Sequence, residues 1–166
     1  MKIKISILAA LGLLCGFTNY IDNKTYIVKK IIDGDTIKVF NFKHNIRLKC
    51  VDAPESNFFG KAQFMYEDNI GLMAKEYLQS LLPITSDVEL QCDDGLDATH
   101  TRLVCYVVHN GININHQLIQ DGYVYTSEKY CNQQEIKMFK KAKKEHKGLW
   151  RLGEWQNPCQ FRGKCK

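Results

Sequence analysis

Two short acidic segments have the residue types and spacing to hold a cation. One is Asp33-Gly34-Asp35-Thr36; the other is Asp52-Ala53-Pro54-Glu55. Each follows a run that reads as a strand, TYIVKKII before the first and NIRLKCV before the second. Each is therefore expected at the end of a strand. If those strand ends are neighbours, four carboxylates converge. Four carboxylates without a counter-charge repel and resist ionisation. A divalent cation that favours hard oxygen ligands, Ca²⁺ or Mg²⁺, resolves the conflict. Taken singly, either segment also reads as turn or loop chemistry, because Asp and Gly are turn formers. Gly34 is expected to let the chain turn tightly enough to bring Asp33 and Asp35 near one ion.

Two arginines extend the argument. Arg47 lies in the strand leading into Asp52, and Arg102 opens the later apolar run RLVCYVV. A guanidinium binds a phosphate through two parallel hydrogen bonds and stabilises charge that builds up in a transition state. A cation, two arginines and a carboxylate able to take a proton from water together form a site for cleaving phosphodiesters. Tyr123, Tyr125 and Tyr130 offer rings on which unpaired bases could stack. The histidines at 100, 109, 116 and 146 have no metal-like spacing and are read as surface or loop residues. The lysines at 137, 140, 141, 143, 144 and 147 read as a solvated helix face that also attracts phosphate in a salt-dependent way.

The segments IDGDT (32–36), IRLKCVDAPE (46–55), TRLVCYVV (101–108) and AKKEHKGLW (142–150) resemble the thermonuclease, or staphylococcal-nuclease-like, family in order and rough spacing. The resemblance covers about residues 25–150. It implies a five-stranded OB-type barrel with about three helices, and hydrolysis of phosphodiester bonds in DNA and RNA, usually with Ca²⁺. Matched motif to motif, it implies Asp35 and Asp52 as direct metal ligands, with the backbone carbonyl of Ala53 as a third. Asp33 falls near the water shell of the metal. Glu55 becomes the general base, or orients the attacking water, and Arg47 and Arg102 contact the scissile phosphate. One departure stands out. The family often carries Asp-x-Tyr-Gly-Arg before the second arginine, whereas this chain has DATHTR (97–102), with His100 and Thr101 in place of Tyr and Gly.

Around these residues the periodicities predict an α+β protein. TYIVKKII and TIKVFNF flank the first acidic turn as strands, and NIRLKCV is a third. Apolar residues recur at helical spacing over 67–82, up to Pro83. DVELQC and RLVCYVV read as two more strands, separated by a polar loop, DDGLDATHT. ININHQLIQDG is a short helix stopped by Gly122. A final helix begins at the cap Asn132 and buries Ile136, Phe139 and Ala142. About five strands with helices after the third and at the end suggest a small antiparallel barrel, an OB-fold-type β-barrel with about three helices.

The chain ends bear on destination. Lys2 and Lys4 precede an apolar stretch, Ile5 to Phe17, of secretory-signal length and too short to span a bilayer comfortably. Residues 1–18 are thus expected to be a signal, 19–150 a nuclease-like domain and 151–166 a cysteine-containing tail. Losing residues 1–18 removes two lysines and no acid, lowering the net charge from +5 to +3. A mildly basic exported monomer with no membrane span after signal removal suits an anionic partner such as DNA or RNA. Six cysteines remain after the signal, an even number that suggests disulfides in an exported chain. Cys92 with Cys105 and Cys159 with Cys165 are the expected pairs. No C-x-x-C pair is present, and the spacings suit zinc poorly. A non-catalytic OB-fold module that binds nucleic acid is the alternative function, and a disulfide-stapled secreted protein with merely structural acids is a third.

Overall fold

The structure is a computed structural model that describes residues 24–164 except 58, 59, 98 and 128. The expected signal segment and Cys165 lie outside the described residues. In chain order the elements are β1 (Thr25–Asp33), β2 (Thr36–Val39), β3 (Asn45–Leu48), β4 (Val51–Asp52), β5 (Phe64–Met65), β6 (Asp68–Asn69) and α1 (Ile70–Leu81). There follow β7 (Asp87–Leu96), β8 (Arg102–His109), β9 (Ile112–Asn113), α2 (Ile114–Gln120), β10 (Tyr125–Thr126), α3 (Gln133–Lys144), a 3-10 turn (Gly148–Leu152) and α4 (Pro158–Phe161).

The five expected strands close into a ring. β1 pairs antiparallel with both β2 and β7, β2 with β3, and β7 with β8, and β3 then pairs parallel with β8 to complete the barrel. The interior is filled by residues that alternate inward, including Val28, Ile37, Ile46, Leu48 and Val107, all fully or almost fully buried. β7 continues to Leu96, four residues beyond the predicted DVELQC, through an irregularity after Cys92. Residues 93–95, Asp-Asp-Gly, fall in that irregularity and are exposed, and the pairing resumes at Leu96 opposite Leu103.

The three expected helices form, each started by an asparagine. The side chains of Asn69, Asn113 and Asn132 accept hydrogen bonds from backbone N–H groups in the first turns of α1, α2 and α3. Asn132 adds a reciprocal bond with Glu135, a complete capping box that buries the Glu135 carboxylate at the helix start. α1 lays Ala74 and Leu78 against the barrel. No described helix is long and apolar enough to cross a membrane.

Two disulfides are described. Cys92–Cys105 ties β7 to β8 as expected, at directly paired positions. Cys50–Cys131 was not among the expected pairs; it joins the β3–β4 corner to the residue before the α3 cap. Cys159 is also disulfide-bonded, and the expectation of Cys165 as its partner falls outside the described residues. Past the 3-10 turn the chain packs against the domain. Trp155 is buried, stacked on Trp150 at 4.8 Å and set edge-on to Tyr125 at 4.6 Å.

Candidate active site

The β1–β2 turn presents Asp33 and Asp35 at one end of the barrel. The Asp35 backbone N–H donates to Asp33 Oδ1 at 3.1 Å, which folds the turn around the first carboxylate. Asp35 itself is buried, and donors surround its carboxylate. The Thr36 hydroxyl donates to Oδ1 at 2.9 Å, and the Ala53 N–H donates to Oδ2 at 2.7 Å. That last bond joins the two acidic segments, which are 18 residues apart in sequence. Gly34 has an ordinary backbone angle and is needed for space instead. A Cβ there would stand 2.6 Å from the Ala53 Cβ and 2.9 Å from the Ala74 Cβ. The glycine lets the turn close onto β4 and α1, which differs from the turn-forming role expected of it.

The sheet register aligns the arginines. Thr36 faces Arg47 across β2–β3, and the parallel β3–β8 pairing sets Asn45 opposite Arg102. Arg47 Nη1 lies 2.5 Å from Asp35 Oδ2, and its Nη2 donates to Asp52 Oδ1 at 2.9 Å. Arg102 is held differently. Its Nε donates to Asp97 Oδ2 at 2.7 Å, while Asp97 Oδ1 accepts from the Thr99 hydroxyl at 2.6 Å. Asp97 is thus the organiser of the divergent DATHTR loop, and its bonds to Thr99 and Arg102 hold its carboxyl down at about 2 against the opposing effect of burial. A cleft of about 440 Å³ is lined by Asp33, Asp35, Arg47, Asp52, Glu55 and Arg102, together with Ala53, Arg162 and Lys164.

Charge in this cleft is closely balanced. Burial pushes the Asp33 carboxyl up, the Asp35 charge adds to the effect, and its pKa reaches about 7. Burial also works against ionisation of Asp35, but Arg47 and the Ala53 N–H outweigh it and keep its carboxyl below the usual range. Burial and the Asp35 charge push Asp52 up, against the pull of Arg47 and Arg162. Burial opposes the charge on Arg47, yet Asp35 and Asp52 hold its guanidinium above its ordinary range. Burial, and after it the neighbouring Asp35 charge, disfavours ionisation of Asp33, and a cation bound beside it would favour the ionised form. The donors are carboxylate and carbonyl oxygens, the set that hard cations prefer. Asp35, Asp52 and the Ala53 carbonyl would hold such an ion, with Asp33 beside them. As the side chains stand, the Asp33, Asp35 and Asp52 carboxylates are not gathered within 4.8 Å of one another. Guanidinium groups of Arg47 and Arg162 sit on Asp35 and Asp52 instead. Among the described residues the cluster of potential ligand atoms that is that compact, Cys50 with Cys131 and Glu135, has both sulfurs tied up in the disulfide.

The three tyrosines lie elsewhere. Tyr123 stacks on Tyr77 at 3.8 Å, and Tyr125 sits among Phe139, Trp150 and Trp155 with its hydroxyl donating to the Trp155 carbonyl at 2.7 Å. Tyr130 is 61% exposed, with Lys129 Nζ 5.0 Å from its ring centre. None of the three is among the residues lining the cleft. Arg162 does line it and was not singled out in the sequence. Its only local signal is an arginine in a tail of mixed Pro, Gly and Cys, which carries no periodicity.

A closed five-stranded barrel with helices on its flank defines an OB-type fold, here with a cleft of carboxylates and arginines at the strand ends. The chain belongs to the staphylococcal nuclease homologue family, whose model matches residues 45–152. The match includes Arg47, Asp52, Glu55 and Arg102; Asp33 and Asp35 precede it and Arg162 follows it. A search of curated proteins finds no match to this chain.

Proposed function

We propose that this protein is an exported, Ca²⁺-dependent nuclease that hydrolyses phosphodiester bonds in DNA and RNA with little sequence preference. The observation that carries the reading is the hydrogen bond from the Ala53 N–H to Asp35, which brings both acidic segments to one cleft beside Arg47 and Arg102. Membership of the nuclease family supports it. The disulfides support export, since such bonds persist in oxidising compartments.

In this reading Asp35, Asp52 and the Ala53 carbonyl hold the cation, and Asp33 orders its water. Bound Ca²⁺ supplies positive charge to the phosphoryl oxygens. Arg47 and Arg102 donate hydrogen bonds to the same phosphate and stabilise the added charge of the transition state. Glu55 accepts the proton of the attacking water. The contacts address phosphate, which every nucleotide shares, so sequence preference is small. The exposed ring of Tyr130 is the remaining candidate for base stacking. The test is digestion of DNA and RNA by the purified chain across a metal series, with EDTA as the control. Cleavage that requires Ca²⁺ and stops in EDTA is the expected result. Retention of nucleic acid with no turnover after Ca²⁺ is added would instead make the chain a binding module.

A further inference from the structure

The C-terminal segment beyond the 3-10 turn reaches back to Glu55 by two routes. The first runs through buried Gln63. Gln63 accepts a hydrogen bond from the Glu55 N–H at 2.9 Å, donates its own N–H to the Glu55 carbonyl at 2.8 Å, and donates Nε2 to the Gln156 carbonyl at 2.9 Å. Trp155, packed on Trp150 and Tyr125, anchors the neighbouring residue of that segment. The second route runs through Arg162. α4 is started by Asn157, whose side chain accepts from the Cys159 N–H at 3.0 Å, and it ends at Arg162. Arg162 Nη1 donates to Glu55 Oε1, and Nη2 donates to Asp52 Oδ1 at 3.1 Å and Oδ2 at 2.8 Å. The guanidinium is mostly buried, and these contacts hold its pKa above the ordinary range. The C-terminal segment, which lies past the family-matched residues 45–152, thus contacts the Glu55 side chain directly through Arg162 and the Glu55 backbone through Gln63.

We propose that Arg162 is a positioning residue of the nuclease site, which holds the Glu55 carboxylate in its working orientation and covers Asp52 until a cation takes that carboxylate. The proposal rests on the nuclease reading above. With Oε1 fixed by Nη1, Oε2 is left to receive a proton. The rotamer freedom of a glutamate is thus lost before substrate arrives, not during the reaction. In the ion-free chain the planar fork holds two carboxylates at once, a geometry that an ammonium does not reproduce.

The test uses the purified chain with Arg162→Gln, Arg162→Lys, Glu55→Gln and the Glu55→Gln/Arg162→Gln double variant, each first checked for its fold by circular dichroism. At saturating Ca²⁺, Arg162→Gln is expected to lower kcat about 10–100-fold with little change in KM, the usual range for groups that orient a working ligand. Arg162→Lys is expected to recover only part of that loss. In the Glu55→Gln background the same change is expected to cost less than about twofold, since residues acting as a unit are non-additive. A kcat for Arg162→Gln equal to or above that of the parent, or an equal loss in both backgrounds, would overturn the proposal. Calorimetric titration with Ca²⁺ alone gives a reading that does not depend on turnover. Arg162→Gln is expected to bind the ion several-fold tighter because no guanidinium has to leave Asp52, and unchanged or weaker binding contradicts the proposed covering of Asp52. A parent chain inactive with every cation refutes the nuclease reading itself. An active parent with a fully active Arg162→Gln refutes only the role of Arg162.

Discussion

The turn that carries the first acidic pair is wedged against its neighbours, so Gly34→Ala is a direct test of how the site is built. The added methyl would lie 2.6 Å from the Ala53 Cβ, 2.9 Å from the Ala74 Cβ and 3.3 Å from the Ala74 carbonyl carbon, against 3.4 Å for ordinary contact. The worst contact is about 0.8 Å too short, and neither neighbour has a flexible end to swing away; Ala53 and Ala74 are both buried. Overpacking of this kind costs about 1–3 kcal/mol. Replacing glycine by alanine also restricts the unfolded chain, which returns about 0.4–1 kcal/mol. The net expectation is a loss of about 1–2 kcal/mol, read as a lower urea midpoint at unchanged m-value. The turn must move away from Ala53, and that stretches the 2.7 Å bond between the Ala53 N–H and Asp35. Affinity for Ca²⁺ should fall about 10–100-fold, as for other changes that disturb the groups orienting a ligand. Urea melts with and without Ca²⁺, together with a calorimetric Ca²⁺ titration, measure both quantities. A Gly34→Ala protein as stable as its parent and with the same ion affinity would refute the claim that space at this glycine couples the two acidic segments.

Gly71→Ala should lower both stability and kcat, because its Cβ would fall on the Glu55 carbonyl and the Ser56 N–H; a urea melt and steady-state kinetics check the two. Glu55→Gln should keep the fold and lose about 10²–10⁴-fold in kcat, since a carboxamide takes no proton from water; near-full activity would remove Glu55 from the chemistry. The Asp33 carboxyl is raised on folding from 3.8 to about 7. Its contribution to stability is therefore complete below about pH 3.8 and is lost as pH rises through about 7, with a slope of up to about 1.4 kcal/mol per pH unit. A bound cation favours the ionised form, so Ca²⁺ affinity measured by calorimetry should weaken as pH falls below about 7, and Asp33→Asn should flatten that profile. Replacing Cys50 and Cys131 together by serine should cost about 3–5 kcal/mol, because that bridge closes a loop of 81 residues; thermal unfolding of the double variant checks it.

Periodicity and composition alone gave the five barrel strands and three helices, because alternation and helical spacing record which faces are buried. Asn132 marked the start of α3 because a cap needs only its own side chain and the next turn. The motifs also named the acids and the two arginines that line the cleft, since residue type carries their chemistry. The parallel β3–β8 pairing that sets Arg47 and Arg102 on adjacent strands joins residues too far apart for any local pattern to register. The same holds for Cys50–Cys131 and for the bond from Ala53 to Asp35. Gly34 was legible as a glycine in a turn, but its reason, the closeness of Ala53 and Ala74, exists only once three elements are packed. Arg162 is the plainest case. In the sequence it is one arginine in an aperiodic tail. Its place on Glu55 and Asp52 is decided by Trp155 docking on the aromatic cluster and Gln63 holding Gln156, contacts that arise only when the chain end meets the finished barrel.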